Sequence, residues 1–190
     1  MKKNINKVIS MVIAALLCAI GILIPMYFPG IKLPPASYTL ASHVPIFIAM
    51  FISPPIAISV ALVTTFGFFI AGFPLIIVFR ALSHLIFAAL GALYLKKNGK
   101  TLLSIKSTVL FAIIISMIHA VCEVIVVTWL WWGGSLTEAF HAKGYLVTVI
   151  GLVGVGTLIH SLIDFTIAVT IWKSLQHVLT IPANAKIKAK

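Results

Sequence analysis

The sequence predicts an all-α membrane protein, a six-transmembrane-helix bundle in which residues 1–190 form a single integral membrane domain. Three observations carry that expectation. Residues are 62% hydrophobic and 9% charged, with a mean hydropathy of +1.19, whereas about a quarter of the residues of soluble domains are charged. Several apolar runs approach or reach the roughly 20 residues that cross a hydrocarbon core of about 30 Å. The basic residues, finally, gather at alternate ends of those runs.

The spans are expected at residues 8–28, 42–53, 56–71, 75–95, 108–132 and 146–172. Pro54 and Pro55 break the second from the third, and an apolar run near a dozen residues suits a re-entrant segment as well as a spanning one. With the N-terminus in the cytoplasm, the inside segments carry Lys2, Lys3, Lys7, Lys96, Lys97, Lys100, Lys106, Lys173, Lys186, Lys188 and Lys190, and the outside loops carry Lys32 and Lys143. This is the positive-inside pattern. It accounts for the net charge of +11 through topology and anionic lipid headgroups, so no nucleic acid is expected as a partner. The first segment resembles a secretory signal, but prolines rather than an A-x-A site follow it, and it is read as a retained span. Cys18 and Cys122 fall in separate spans and read as packing residues rather than metal ligands or a disulfide.

The fourteenth basic residue, Arg80, is the only arginine and lies inside an apolar stretch. Ionisable groups at that depth are costly and face the bundle interior, toward a buried partner or a ligand. Arg80 and His84, His119 and Glu123, and His160 and Asp164 each stand four residues apart, so each pair shares one helix face. Convergence of these faces would build a polar cavity between spans four, five and six. Arg80 lies about 9 Å below the outer end of its helix and Glu123 roughly 13 Å below the end of its own, so the two can meet. His160 and Asp164 sit at or below mid-depth and read as structural. Trp129, Trp131 and Trp132 at the outer end of span five, with Tyr38 in the first loop and Phe73 just before Pro74, are candidates to cap a flat ring, against the alternative of an interfacial aromatic belt.

Other chemistries fit less well. Arg80 and Glu123 could simply neutralise one another within a structural network. A small intramembrane metal-binding protein or enzyme using His119, Glu123, His160 and Asp164 is conceivable, but the H-E-x-x-H motif is missing and Arg80 would repel a cation. No G-x-S-x-G elbow marks a serine hydrolase. The chain is therefore not expected to be an enzyme, and neither a metal nor any other cofactor is expected.

Three stretches now carry a resemblance: Ala14-Ala-Leu-Leu-Cys-Ala-Ile-Gly-Ile-Leu-Ile-Pro25, Ala41-Ser-His-Val-Pro-Ile-Phe-Ile-Ala-Met-Phe-Ile-Ser-Pro54 and Gly72-Phe-Pro-Leu-Ile-Ile-Val-Phe-Arg-Ala-Leu-Ser-His84. With them the chain resembles the substrate-binding S components of energy-coupling factor vitamin transporters over nearly its whole length. The resemblance implies a multi-pass protein of a bacterial cell membrane that captures a small vitamin outside for ATP-driven uptake. It implies partners too: a transmembrane T component and two cytoplasmic ATPases. The chain has no G-x-x-x-x-G-K-[ST] loop of its own. In the family an A-x-x-x-A motif on the first helix docks the T component, and Ala15 with Ala19 is the match here, though Ala57 with Ala61 and Ala88 with Ala92 share the spacing. The ligand is placed near the outer surface, where Arg80, His84, His119, Glu123, Trp129 and Tyr38 are the expected binding residues. Arg80 favours a carboxylate, as in pantothenate or nicotinate. If Glu123 consumes its charge, a neutral ring such as pyridoxine or a pyrimidine fits better.

Both termini are predicted to be cytoplasmic. Single cysteines placed near residues 3 and 186 should resist membrane-impermeant thiol reagents in intact cells, and labelling of either from outside would overturn the assignment.

Overall fold

A computed structural model describes residues 2–34, 36–134, 136, 138–178 and 181–186; Lys188 and Lys190 of the lysine pattern lie outside them. Helix α1 covers Lys2–Tyr27, and a hairpin of β1 (Gly30–Leu33) and β2 (Ala36–Thr39) follows. Next come α2 (Val44–Ile52), α3 (Pro54–Ile70), α4 (Leu75–Lys97), α5 (Ile105–Trp132) and the single turn α6 (Glu138–His141). A π-helix, Leu146–Val155, runs directly into α7 (Gly156–Val178). The strands pair antiparallel, with Gly30 opposite Thr39 and Leu33 opposite Ala36.

Of the six expected spans, four, Lys7–Tyr27, Leu75–Lys97, Ile105–Trp132 and Leu146–His177, are helices long and apolar enough to cross a membrane among the described residues. The 17 residues of α3 make a shorter apolar helix. The segment expected as span two is different in kind. Helix α2 has nine residues, about 14 Å of rise, which does not cross a core of about 30 Å. All nine are buried, so α2 is enclosed by protein on every side and lies against α1, α3, α4 and α7. Its Phe47 and Phe51 meet Phe165 of α7 edge-on at 5.2 and 5.7 Å between ring centroids, and Phe51 also meets Trp172 at 5.9 Å. These rings are the centre of the main core.

A half-length helix at this depth needs partners for the backbone groups its ends expose, because lipid supplies none. Asp164, itself wholly buried, serves the N-terminal end: Oδ1 accepts the Ala41 N–H at 2.8 Å and Oδ2 the His43 N–H at 2.9 Å. The carboxylate also suits the positive end of the helix dipole. Ala41 is held at φ 67° in that turn, a left-handed conformation that costs a non-glycine residue roughly 1–2 kcal/mol. Pro45 sits in the first turn of α2, where a missing N–H costs little. At the other end the chain after α7 folds back, and the Asn184 and Ala185 N–H groups donate to the carbonyls of Ile52 and Phe51, both at 3.0 Å. The only residue between α2 and α3 is Ser53, and Pro54 opens α3.

The pairing of Asp164 with the entry to α2 predicts the cost of removing its charge. Asp164→Asn should destabilise the protein by about 1.5–3 kcal/mol, because hydrogen bonds to a charged acceptor are replaced by neutral ones in a buried site. The check is the thermal midpoint in detergent, and an unchanged midpoint would show that Asp164 does not hold the end of α2.

Candidate functional site

The polar faces of α4, α5 and α7 converge on the N-terminal end of α2. Glu123 on α5 is the point where they meet. Its Oε2 accepts from Arg80 Nη2 at 2.7 Å and from the Thr157 hydroxyl at 2.5 Å, while its Oε1 lies 3.2 Å from His84 Nε2 and 3.5 Å from His119 Nε2. Glu123 is 2% exposed and Arg80 6%, so the pair is dehydrated and each charge relies on the other.

A second carboxylate stands beside the first. Asp164 Oδ2 lies 3.1 Å from His43 Nδ1 and 3.3 Å from His160 Nε2. The Ser42 hydroxyl links the two histidines, 3.2 Å from His43 Nδ1 and 3.1 Å from His160 Nε2. His43 is the hub of the imidazoles, its ring centroid 4.9 Å from that of His84, 4.7 Å from His119 and 5.0 Å from His160.

These groups form one wall of a cavity of about 80 Å³. Arg80, His84, Glu123, Thr157 and His160 line it on the polar side, and Tyr38, Pro45, Phe68, Phe73 and Ile77 on the apolar side. The hairpin covers it: the Tyr38 ring lies 5.3 Å from His160, and its hydroxyl donates to the Leu152 carbonyl in the π-helix. A Cβ at Gly156 would overlap that phenolic oxygen, so the glycine is what lets Tyr38 dock. Burial pushes the Tyr38 phenol above its ordinary value, with the Arg80 charge acting in the opposite sense. Sites for drug-sized molecules run to roughly 300–1,000 Å³; a space this small, with ring-bearing walls, suits one substituted six-membered ring.

Of the residues expected from sequence, Arg80, His84, Glu123 and Tyr38 line the cavity. His119 is fully buried behind Glu123 and touches it without lining the space. Trp129 requires a correction: it is 65% exposed, packs edge-on against Phe79 and borders a shallow groove with Trp132 and Tyr145 instead. The reason is helical phase. Six residues past Glu123, at 3.6 residues per turn, Trp129 stands about 240° around the helix, whereas Trp131 stands about 80° around. It is Trp131 that is buried, against His141 and Tyr145. His160, read as structural from its depth, lines the cavity, while its partner Asp164 holds α2.

The reading from sequence missed His43 and Thr157. Thr157 was detectable, since it shares a face with His160, Ser161 and Asp164 at spacings of three, one and three. His43 was not, because its role depends on α2 starting within the bundle.

The surface of α1 is also informative. Ala15 and Ala19 are exposed, whereas Ala57, Ala61, Ala88 and Ala92, which share their spacing, are buried in the core.

In comparisons with known proteins, the chain is 40% identical over 183 residues to the niacin transporter NiaX of Lactococcus lactis subsp. cremoris (strain MG1363), a match that covers 96% of this chain and 81% of that protein. Neither a protein-family model nor a solved structure matches it.

Proposed function

The chain belongs to the S components of energy-coupling factor vitamin transporters, and from that premise we propose that the vitamin it captures is nicotinate. It is accordingly a multi-pass membrane protein and a transport subunit, not an enzyme. The observation that carries the choice of ligand is a small ring-walled cavity with one guanidinium on its polar side. Nicotinate is a single flat ring with one carboxylate, and it matches both features. The name of the relative points the same way. Pantothenate is an open chain and gains little from the faces of Tyr38, His84, His160, Phe68 and Phe73.

The proposed roles follow from the geometry. Arg80 meets the ligand carboxylate while it donates to Glu123. Tyr38 and His160 take the ring between them, and His84, seated on Glu123 Oε1, supplies a polar contact at its edge. His119 supports Glu123 from behind. Vitamin enters from the hairpin side, and both termini are cytoplasmic. The exposed Ala15 and Ala19 form the face that docks the T component, since small residues allow close helix approach; the two ATPases of the complex then drive uptake.

A second reading, a neutral ring such as pyridoxine or a pyrimidine, is favoured by one observation. Glu123 lies 2.7 Å from Arg80 and already answers its charge. Thermal stabilisation of the purified chain separates the two. Nicotinate at 100 times its dissociation constant should stabilise the protein by about 2.7 kcal/mol, with nicotinamide, pyridoxine, thymine and pantothenate far weaker. Stabilisation by pyridoxine or thymine without any from nicotinate would establish the neutral reading in its place.

A further inference from the structure

We propose that His43, His84, His119 and Glu123 hold a divalent transition-metal ion of the zinc type at the polar wall of the vitamin cavity. One potential ligand atom from each lies within 4.8 Å of all the others. Ligand atoms about 2.0–2.1 Å from a tetrahedral metal stand about 3.4 Å apart. Two of the separations already match: Glu123 Oε1 is 3.2 Å from His84 Nε2 and 3.5 Å from His119 Nε2. Closing a pair as wide as 4.8 Å to that spacing needs about 1.4 Å of side-chain movement.

The outer contacts are those that metal-bound histidines use. A ligating imidazole nearly always gives its second nitrogen to a carboxylate, a carbonyl or another fixed acceptor. His43 Nδ1 lies 3.1 Å from Asp164 Oδ2, leaving Nε2 for the metal, and His119 Nδ1 lies 3.2 Å from the Ser161 hydroxyl. Oε2 of Glu123 is occupied by Arg80 and Thr157, which leaves Oε1 toward the imidazoles. Arg80 therefore contacts the oxygen remote from the ion, and this relieves the repulsion that argued against a cation in the sequence.

The state of His119 is consistent with this. It is fully buried, and its Nε2 stands 3.5 Å from Glu123 Oε1 with no closer polar contact among the described residues. Buried polar atoms are nearly always satisfied, and an exception calls for an explanation such as an ion. The ring contacts agree. His43, His84 and His119 meet edge-on with centroids 4.7–4.9 Å apart, and a single oxygen, Glu123 Oε1, faces two of their nitrogens.

The ion also resolves the charge of the site, a point that rests on the nicotinate reading. With neutral imidazoles, Arg80 against Glu123 and Asp164 leaves one excess negative charge, which opposes an anionic vitamin. A divalent ion turns this into one excess positive charge. Three imidazoles and one carboxylate suit Zn²⁺, with Ni²⁺, Cu²⁺ and Fe²⁺ as alternatives.

The test uses the full chain in detergent, stripped with a chelator and titrated with Zn²⁺ against a chromophoric competitor. Co²⁺ serves as a spectroscopic probe of geometry, and nicotinate binding is measured with and without Zn²⁺. One Zn²⁺ per chain and a tetrahedral Co²⁺ spectrum are expected. His119→Gln should weaken Zn²⁺ at least 100-fold and Ser161→Ala about 10- to 100-fold, while His177→Gln, on the surface, should change nothing. No stoichiometric ion at micromolar Zn²⁺, an octahedral Co²⁺ spectrum, or affinity retained in Ser161→Ala and His119→Gln would overturn the proposal. If His119→Gln does not fold, the parent spectrum and Ser161→Ala decide. Nicotinate binding without any bound ion overturns the metal site and leaves the vitamin assignment standing; a bound ion without nicotinate binding does the reverse.

Discussion

The buried carboxylate of Glu123 is the constraint on which the rest of the site depends. A charge 2% exposed within a helical bundle persists only if its surroundings are arranged to hold it. Arg80 and Thr157 hold one oxygen, and His84 and His119 face the other. These partners come from α4, α5 and α7, so satisfying one carboxylate fixes the relative rotation of three helices. Arg80 is in turn 6% exposed, so its charge is weakly screened by water and acts strongly on any charge beside it.

The second carboxylate performs a different task with the same physics. Asp164 anchors the start of α2 inside the bundle, and the fold can then leave a cavity above a helix too short to span. The chain before α2 must dip inward to reach that start. This brings Ser42 and His43 into the polar cluster and draws the hairpin over the space above it. A full-length second span would have filled the cavity with its own first turns.

Much of this was legible in the sequence because helical spacing is rigid. The pairs Arg80/His84, His119/Glu123 and His160/Asp164 had to share faces, and rise per residue placed Arg80 and Glu123 at compatible depths. What escaped were features set by tertiary placement. His43 precedes an apolar run whose nine residues give no sign of where in the membrane they begin. Trp129 shows the opposite error, for its helical phase was readable and was outweighed by its proximity to the expected cavity. The buried alanine pairs show why the spacing of small residues could not identify a docking face: Ala57 and Ala61 pack the core as readily as Ala15 and Ala19 line a surface.

The central claim is that Arg80 serves Glu123 and the vitamin carboxylate together. A double-mutant cycle on nicotinate affinity, using Arg80→Ala, Glu123→Gln and their combination, tests it most directly. The account predicts a loss of about 30- to 1,000-fold for Arg80→Ala, equivalent to about 2–4 kcal/mol. The double mutant should not regain it, and the two effects should be non-additive by roughly 0.5–3 kcal/mol. A double mutant that folds and binds nicotinate as tightly as the parent would contradict the account, since Arg80 and Glu123 would then be a structural pair with no hold on the ligand.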